Sequence, residues 1–501
     1  MRNSKRVILV NPNIPEYPKY LRAHMFYKTR NPPSLPLGLL YIAAVLERDG
    51  VDVEVIDNYL LDLSTEELVN KIKRGNPALL GFSVMTFTYP ESRRNMTRLK
   101  EEMPEVPIVV GGPHATLFPE ELIKEPFIDI VVRGEGEQTT REIVQALNDD
   151  NTFSRDALKL VDGITFKDEG KVFWNKDRAF IKDLDGLPFP ARHLVDMKKY
   201  PREVPFYLPN VRPVDVMCSS RGCPFACAFC SSEIIWKRSY RFRSAKNTAD
   251  EIEHLIEDYD SKGIYFREDN FTLNNKRVVE LCKEIKRRRL DFEWICESRV
   301  DLITDDVLKE MTSAGCRAIW FGFESGSQKT LDYIKKGFTL SDAERAVKLC
   351  KKHGLTVGGL FMLGLPNETR EDILETLDFM VKLDVDRLMA QHYVGIPVSE
   401  IYSEVLEKKY YRYEWEKILI IETPDLSRSE ILKLEDYVNR EFKVQRMLRK
   451  LRDLKTSKLP SVIIDMYELL KGIENKRANI PIHLRDLIRS VLSGNRIYQL
   501  V

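Results

Sequence analysis

Met217-Cys218-Ser219-Ser220-Arg221-Gly222-Cys223-Pro224-Phe225-Ala226-Cys227-Ala228-Phe229-Cys230 places four of the chain's eight cysteines between positions 218 and 230. The apolar run 214–218 reads as a strand, and the Gly and Pro that follow read as a loop. Three thiolates at CxxxCxxC spacing, Cys223, Cys227 and Cys230, can each ligate one iron of a [4Fe–4S] cubane and leave the fourth iron without a protein ligand. Zinc takes four protein ligands or has histidine close by, and no histidine lies between His193 and His254. A disulfide pair would leave an odd cysteine over. Cys218 matches no ligand position and reads as a buried strand-end thiol. Cys282, Cys296, Cys316 and Cys350 fall on element faces and read as core.

Downstream of this loop, strand patterns at 214–218, 264–267, 292–297, 317–323, 360–363 and 387–393 alternate with helical stretches such as 247–259, 276–289 and 341–353. Six successive β/α units predict a partial (β/α)6 TIM-type barrel over residues 211–424, with its chemistry at the carboxyl ends of the strands. Upstream, residues 1–150 carry nearly continuous apolar runs at 7–10, 51–56, 78–85, 108–110 and 128–132. Helical stripes separate them, one opened by Pro36 and ended by Gly50. That is the pattern of a doubly wound, Rossmann-like parallel sheet. Residues 151–210 read as a linker with a hairpin about Asp168-Glu169-Gly170, and 425–501 as a helical carboxyl-terminal region. The fold class is α/β.

Composition fits a multidomain globular chain: 501 residues are 43% hydrophobic and 31% charged. Lys plus Arg (78) balances Asp plus Glu (77), which leaves no global field for nucleic acid. The basic start is followed by an apolar run that Asn11-Pro12-Asn13 ends too early for a signal peptide, and no segment has membrane-spanning length. Cysteine usage points to a reducing cytoplasm. The stretch 443–452 is basic and amphipathic; it reads as a helix packing its Leu/Met stripe on the barrel rather than touching an anionic membrane surface.

With the triad and Phe229 before its last cysteine, the sequence resembles the radical S-adenosylmethionine (radical SAM) superfamily. The resemblance implies that S-adenosylmethionine chelates the open iron and is cleaved to a 5′-deoxyadenosyl radical, with Phe229 near adenine. It implies roles at later strand ends too. Glu268-Asp269 would hold the methionine ammonium by charge-assisted hydrogen bonds, and Arg299 would grip a carboxylate. Glu324 and Ser325, in Phe321-Gly322-Phe323-Glu324-Ser325-Gly326, would serve ribose. Gly359 and Gly364, in the segment 358–369, would lie along adenine. The sixth unit departs from the family's common Pro-Gly-Thr with Gly395-Ile396-Pro397-Val398-Ser399, a loop expected to face substrate.

Four pieces of the first domain resemble the cobalamin-binding domain fused to a large subclass of the superfamily, in the branch that includes the anaerobic magnesium-protoporphyrin cyclases. They are Pro36 and Gly38, then Ser83, then Gly111-Gly112 with His114, then Gly134-Glu135-Gly136. The resemblance makes these the cobalamin-binding residues at the sheet's carboxyl edge. The DxHxxG pattern is replaced by Asn11-Pro12-Asn13-Ile14-Pro15-Glu16, so no histidine from that loop is expected below cobalt, and His114 is expected to structure its own loop.

The family thus implies three cofactors, a [4Fe–4S] cluster, S-adenosylmethionine and cobalamin, and a methyltransferase acting on an unactivated carbon. The alternatives are a radical SAM cyclase or hydroxylase without net methyl transfer, and a non-catalytic cobalamin or iron–sulfur sensor. The implied partners are a small-molecule or lipid substrate and an electron donor such as ferredoxin or flavodoxin.

Overall fold

The computed structural model describes residues 5–14, 34–148, 150, 152–204 and 208–452. In the first strand, β1 (Arg6–Asn11), Val7 and Leu9 enter one core and Ile8 and Val10 the opposite one. Leu39 and Leu40 of the helix Leu37–Arg48 cover the first; Leu68, Val69 and Ile72 of the helix Thr65–Gly75 cover the second. With helices on both faces no side of the strand meets water, which is why the run is uniformly apolar. β2 (Asp52–Asp57), β3 (Leu79–Ser83), β4 (Ile108–Gly111) and β5 (Ile130–Val132) join it in parallel, in the order β2-β1-β3-β4-β5. The strand order reverses between β1 and β3, and the crevice that this leaves at the carboxyl ends of the strands is where doubly wound sheets bind ligands.

The sheet continues into the stretch expected as a linker. β6 (Ile164–Asp168) and β7 (Lys171–Trp174) form the expected hairpin and add it antiparallel to β5. Ile164 and Phe166 are fully buried in the first core, so the hairpin belongs to the first domain. Further along, Arg192 pairs with Glu251 at 2.7 Å with both side chains fully buried, and Tyr200 donates to Asp57 Oδ2 at 2.6 Å.

β8 (Val214–Met217) opens the second sheet, followed by a short ribbon of β9 (Ser220–Arg221) and β10 (Arg241–Phe242). β11 (Gly263–Phe266), β12 (Glu293–Ser298), β13 (Cys316–Glu324), β14 (Thr356–Leu363) and β15 (Arg387–His392) then pair in parallel and in chain order after β8. Six parallel strands in sequence order, open between β8 and β15, are the expected partial barrel. Phe266, Cys296, Ile319 and Phe321 pack outward beneath the helices, while Val214, Tyr265, Ile295 and Ala318 pack together inside. Cys282, Cys316 and Cys350 also lie in the outer core.

Before the expected helical region a small antiparallel sheet intervenes: β16 (Val394–Gly395), β17 (Tyr411–Trp415) and β18 (Ile418–Ile421). Its Ile418 and Ile420 pack with Ile14 and Phe87, from the carboxyl edge of the first sheet. The helix Arg428–Arg452 follows and seats Ile431, Leu434, Val438 and Phe442 on the barrel, just ahead of the stretch 443–452, in which Met447 is buried. The remainder of the expected helical tail, 453–501, lies outside the described residues. Among the described residues no helix is long and apolar enough to cross a membrane.

Candidate functional site

Gly222 sets the turn that carries the cysteine loop out of β9. Its φ is +87°, and a Cβ there would stand 2.3 Å from the Ser239 carbonyl oxygen, so only glycine fits. The loop is then tied down: Ala228 N–H donates to Ile334 O at 2.9 Å, and Ile401 N–H donates to Ala228 O at 3.0 Å. Cys223, Cys227 and Cys230 are free and partly exposed. Burial pushes the Cys223 thiol up and the Cys230 thiol up to about 11, while the Ser232 N–H, 3.4 Å from Cys230 Sγ, favours its thiolate. Iron at these sulfurs would supply the positive charge that the burial lacks. Among the described residues no three His, Cys, Asp or Glu side chains converge as the ligands of one ion do. In a cubane each thiolate binds a different iron, so three ligand thiolates on one loop need not converge on a single point as the ligands of a structural zinc must.

The two acidic residues after β11 separate sharply. Glu268 is buried. Its Oε1 accepts Ser219 N–H at 2.8 Å and Ser219 Oγ–H at 2.7 Å, its Oε2 accepts Ser220 Oγ–H, and Arg277 stands 3.6 Å away. It clamps the start of the cysteine loop to the helix Asn275–Arg288. Asp269 is exposed beside the loop and accepts Gly222 N–H at 3.2 Å. Arg299 grips a carboxylate bidentately, as expected of an arginine fork, but the carboxylate is its own neighbour Asp301, at 3.0 and 3.1 Å. Its guanidinium lies 3.7 Å from the Phe225 ring centroid, with Nη1 3.8 Å from Cys227 Sγ.

Glu324 ends β13 with φ +68° and pairs with Lys336 at 2.8 Å, both side chains nearly buried. Lys336 Nζ is 5.6 Å from the Phe229 ring, so Phe229 and Glu324 share one lysine. Lys336 is a site residue the sequence did not disclose, because a Lys-Lys-Gly triplet reads as a surface turn. Ser325 is taken up by Thr376 Oγ1 at 3.1 Å and by Ser327 N–H at 3.2 Å. Of the glycine pair on β14, Gly359 faces outward, where a Cβ would press on Phe361 and Phe323. Gly358 lies under the Trp320 indole, 2.2 Å from where its Cβ would be. Gly364, at φ +76°, is needed for close packing under Ile431. Glu368, fully buried, accepts Gly364 N–H at 2.8 Å and Leu365 N–H at 3.0 Å, and burial raises its carboxyl to about 8.

At the carboxyl edge of the first sheet, Pro36 caps the helix Leu37–Arg48 and Gly38 is exposed; a Cβ on Gly38 or on Gly134 would touch nothing within 4 Å. Gly112, at φ +94°, lies against the Val84 backbone, with Ser83 Oγ 3.1 Å from where its Cβ would be, and Gly111 precedes it at the end of β4. Gly38 and Gly134 leave open space above backbone, as a large cofactor at a sheet edge requires, whereas Gly112 is packed against the strand end beside it. Gly136 and Glu135 do other things. A Cβ on Gly136 would collide with Ile42 of the neighbouring helix, and Glu135 is ion-paired to Arg221 and Arg241 of the second domain, each at 2.7 Å. His114 is buried, stacked on Tyr89 at 4.6 Å and 3.1 Å from Thr86 Oγ1. Burial lowers it to about 4, so it is neutral and structures its loop, as expected. Asn11, the last residue of β1, and Asn13 just beyond it are held by Asp57 and Asp62 at 2.7 Å each; residues 15–33 lie outside the described residues.

Known proteins share the order of these two domains. Residues 28–144 match the B12 binding domain model and residues 217–380 the radical SAM superfamily model. An uncharacterized methyltransferase of Pyrococcus horikoshii is 38% identical over 72% of this chain and 76% of its own length. The chain belongs to the B12-binding radical SAM family. This family member is also 32% identical to the anaerobic magnesium-protoporphyrin IX monomethyl ester cyclase of Rubrivivax gelatinosus, over 79% of its own length and 71% of the cyclase. Its fold is that of the radical S-adenosylmethionine methyltransferase TsrM from Kitasatospora setae, at a TM-score of 0.65 and 20% identity, over 81% of this chain and 78% of the other. It is therefore a radical SAM enzyme with a cobalamin-type domain in front, and the cysteine loop and the open glycine edge fit the cofactors of those two modules.

Proposed function

We propose that this enzyme is a cobalamin-dependent methyltransferase that acts on an unactivated carbon of a small-molecule substrate. The observation that carries the reading is that cysteine loop and sheet edge face each other: the helix Ser232–Trp236, just after Cys230, packs on Pro113–Leu117, just after Gly112. When bound, the reduced cluster supplies the electron that cleaves S-adenosylmethionine to a 5′-deoxyadenosyl radical, and cobalamin carries the methyl group. The chain's own part is positioning. Cys223, Cys227 and Cys230 would hold the cluster, with Arg299 offsetting negative charge at Cys227. Asp269, exposed next to the loop while Glu268 is engaged elsewhere, would take the ammonium of S-adenosylmethionine. Glu324 would accept from its ribose hydroxyls, with Lys336 as counter-charge and Phe229 alongside. Pro36, Gly38, Ser83, Gly111, Gly112 and Gly134 would frame cobalamin.

A one-electron donor such as ferredoxin or flavodoxin would reach the partly exposed loop, and the eight free cysteines suit a reducing cytoplasm. The 32% identity to the cyclase supports a second reading, cyclisation or hydroxylation without net methyl transfer.

Anaerobic full-length protein reconstituted with iron, sulfide and cobalamin, then given S-adenosylmethionine and dithionite, distinguishes these readings. The expected result is 5′-deoxyadenosine, abolished by alanine at any of the three cysteines, together with cobalamin-dependent S-adenosylhomocysteine. Deoxyadenosine without S-adenosylhomocysteine favours the second reading. Absence of deoxyadenosine under strong reductant sinks both.

A further inference from the structure

The loop after β5 was expected to touch cobalamin through Gly134-Glu135-Gly136, yet its carboxylates point into the second domain. Glu135 accepts Arg221 Nη1 at 2.7 Å, Arg241 Nη1 at 2.7 Å and Ile181 N–H at 2.8 Å. Glu137 accepts Arg221 Nη2 at 2.7 Å. Arg221 therefore splits its planar fork between two carboxylates of one loop, with its guanidinium 5.2 Å from the Tyr41 ring of the helix Leu37–Arg48. The carboxylate side chains are 5 and 6% exposed and the arginines 15 and 11%. Phe180 and Trp236 flank Arg241 at 4.7 and 5.5 Å.

The covalent neighbours give this cluster its meaning. Arg221 immediately precedes Gly222, which packs so closely beneath the Ser239 carbonyl that only glycine fits, and Gly222 immediately precedes Cys223. Glu135 immediately follows Gly134, over which the backbone is open. A short path thus runs from the open edge of the first sheet, through one guanidinium, to the first of the three cysteines. Buried ion pairs are weak devices for stability, since apolar replacements often serve as well, but they fix register through directional bonds.

We propose that Arg221 is a positioning residue: forked on Glu135 and Glu137, it sets the separation between the cobalamin edge and the [4Fe–4S] loop, and so between cobalt and cluster. The inference rests on the cofactor assignment above. Arg221 pairs directly with Glu135 and Glu137, and Glu135 is shared with Arg241, so these four side chains sum to zero; Arg243, paired with Glu251, lies across Tyr41 from them.

The test uses the full-length protein loaded with cluster and cob(II)alamin and partly reduced with dithionite, so that both cofactors carry spin. Dipolar coupling between the spins, read by EPR, reports their separation directly. In Arg221→Gln the coupling is expected to broaden or fall by at least twofold, and Arg221→Lys, with a single point of attachment, should restore part of it. Because Arg221→Gln leaves Glu137 buried without its partner, Arg221→Gln/Glu137→Gln is measured beside it and is expected to show the same change with stoichiometric cobalamin and cluster. An unchanged coupling in the double variant overturns the positioning role while leaving the function intact. Wild-type protein that takes up no cobalamin overturns the function and this inference together, and it does so before any variant is made.

Discussion

Arg299 holds its Nη1 3.8 Å from Cys227 Sγ while its other nitrogens are bound by Asp301 and by Lys336 O at 2.6 Å. A fixed guanidinium beside a cluster thiolate favours the more negative, reduced cluster. Arg299→Met is therefore expected to lower the cluster reduction potential by roughly 50 mV or more. An EPR-monitored redox titration checks this, and an unchanged potential would remove Arg299 from the electronic role.

Glu268 and Asp269 are adjacent in sequence and opposite in duty, so their alanine variants should differ in kind. Glu268→Ala strips Ser219 and Ser220 of a buried acceptor and Arg277 of its counter-charge, and is expected to cost about 2–4 kcal/mol and to impair cluster loading. Asp269→Ala should leave the melting temperature within a few degrees and weaken S-adenosylmethionine binding by about tenfold, the loss of one charge-assisted hydrogen bond. Thermal unfolding and equilibrium binding on the same pair of proteins decide it.

Glu368, raised to about 8 by burial, is protonated in the folded protein at neutral pH and ionised in the unfolded chain. Its folded pKa lies above the unfolded one, so its contribution is full below the unfolded value of about 4.3 and is lost as pH climbs toward 8. Glu368→Gln should fold as well as wild type at pH 7 and flatten that part of the stability profile, whereas Glu368→Ala orphans the Gly364 and Leu365 N–H groups and should cost about 2–3 kcal/mol. Urea unfolding between pH 5 and 8 measures both.

His114 works in the opposite direction. Its folded pKa, about 4, is below that of a free histidine, about 6.5, so the unfolded chain binds the proton first. Stability is full above pH ~6.5 and falls through the window down to pH 4, by up to roughly 3 kcal/mol. His114→Phe, which keeps the stack on Tyr89, should remove that acid-side loss; an acid profile identical to wild type would show that other groups dominate.

The sequence by itself determined the two modules and the cysteine loop. Uniform apolar runs such as 7–10 specify strands covered on both faces, the repeated β/α alternation specifies parallel pairing, and CxxxCxxC is a purely local spacing. Tertiary structure decided which side chains are left free for chemistry. Glu268 is removed from the site by Ser219 and Arg277, Glu135 by Arg221, and Ser325 by Thr376, while Lys336 is brought in by its pairing with Glu324. Gly358 rather than Gly359 faces inward because strand parity fixes alternation along β14 but not its phase. The hairpin at 164–174 joined the first sheet for a like reason: Ile164 and Phe166 find their cover only once β5 is beside them. A motif states which groups a loop carries, but whether a carboxylate stays available depends on partners distant in the chain, and in a buried setting the nearest cation or N–H takes it.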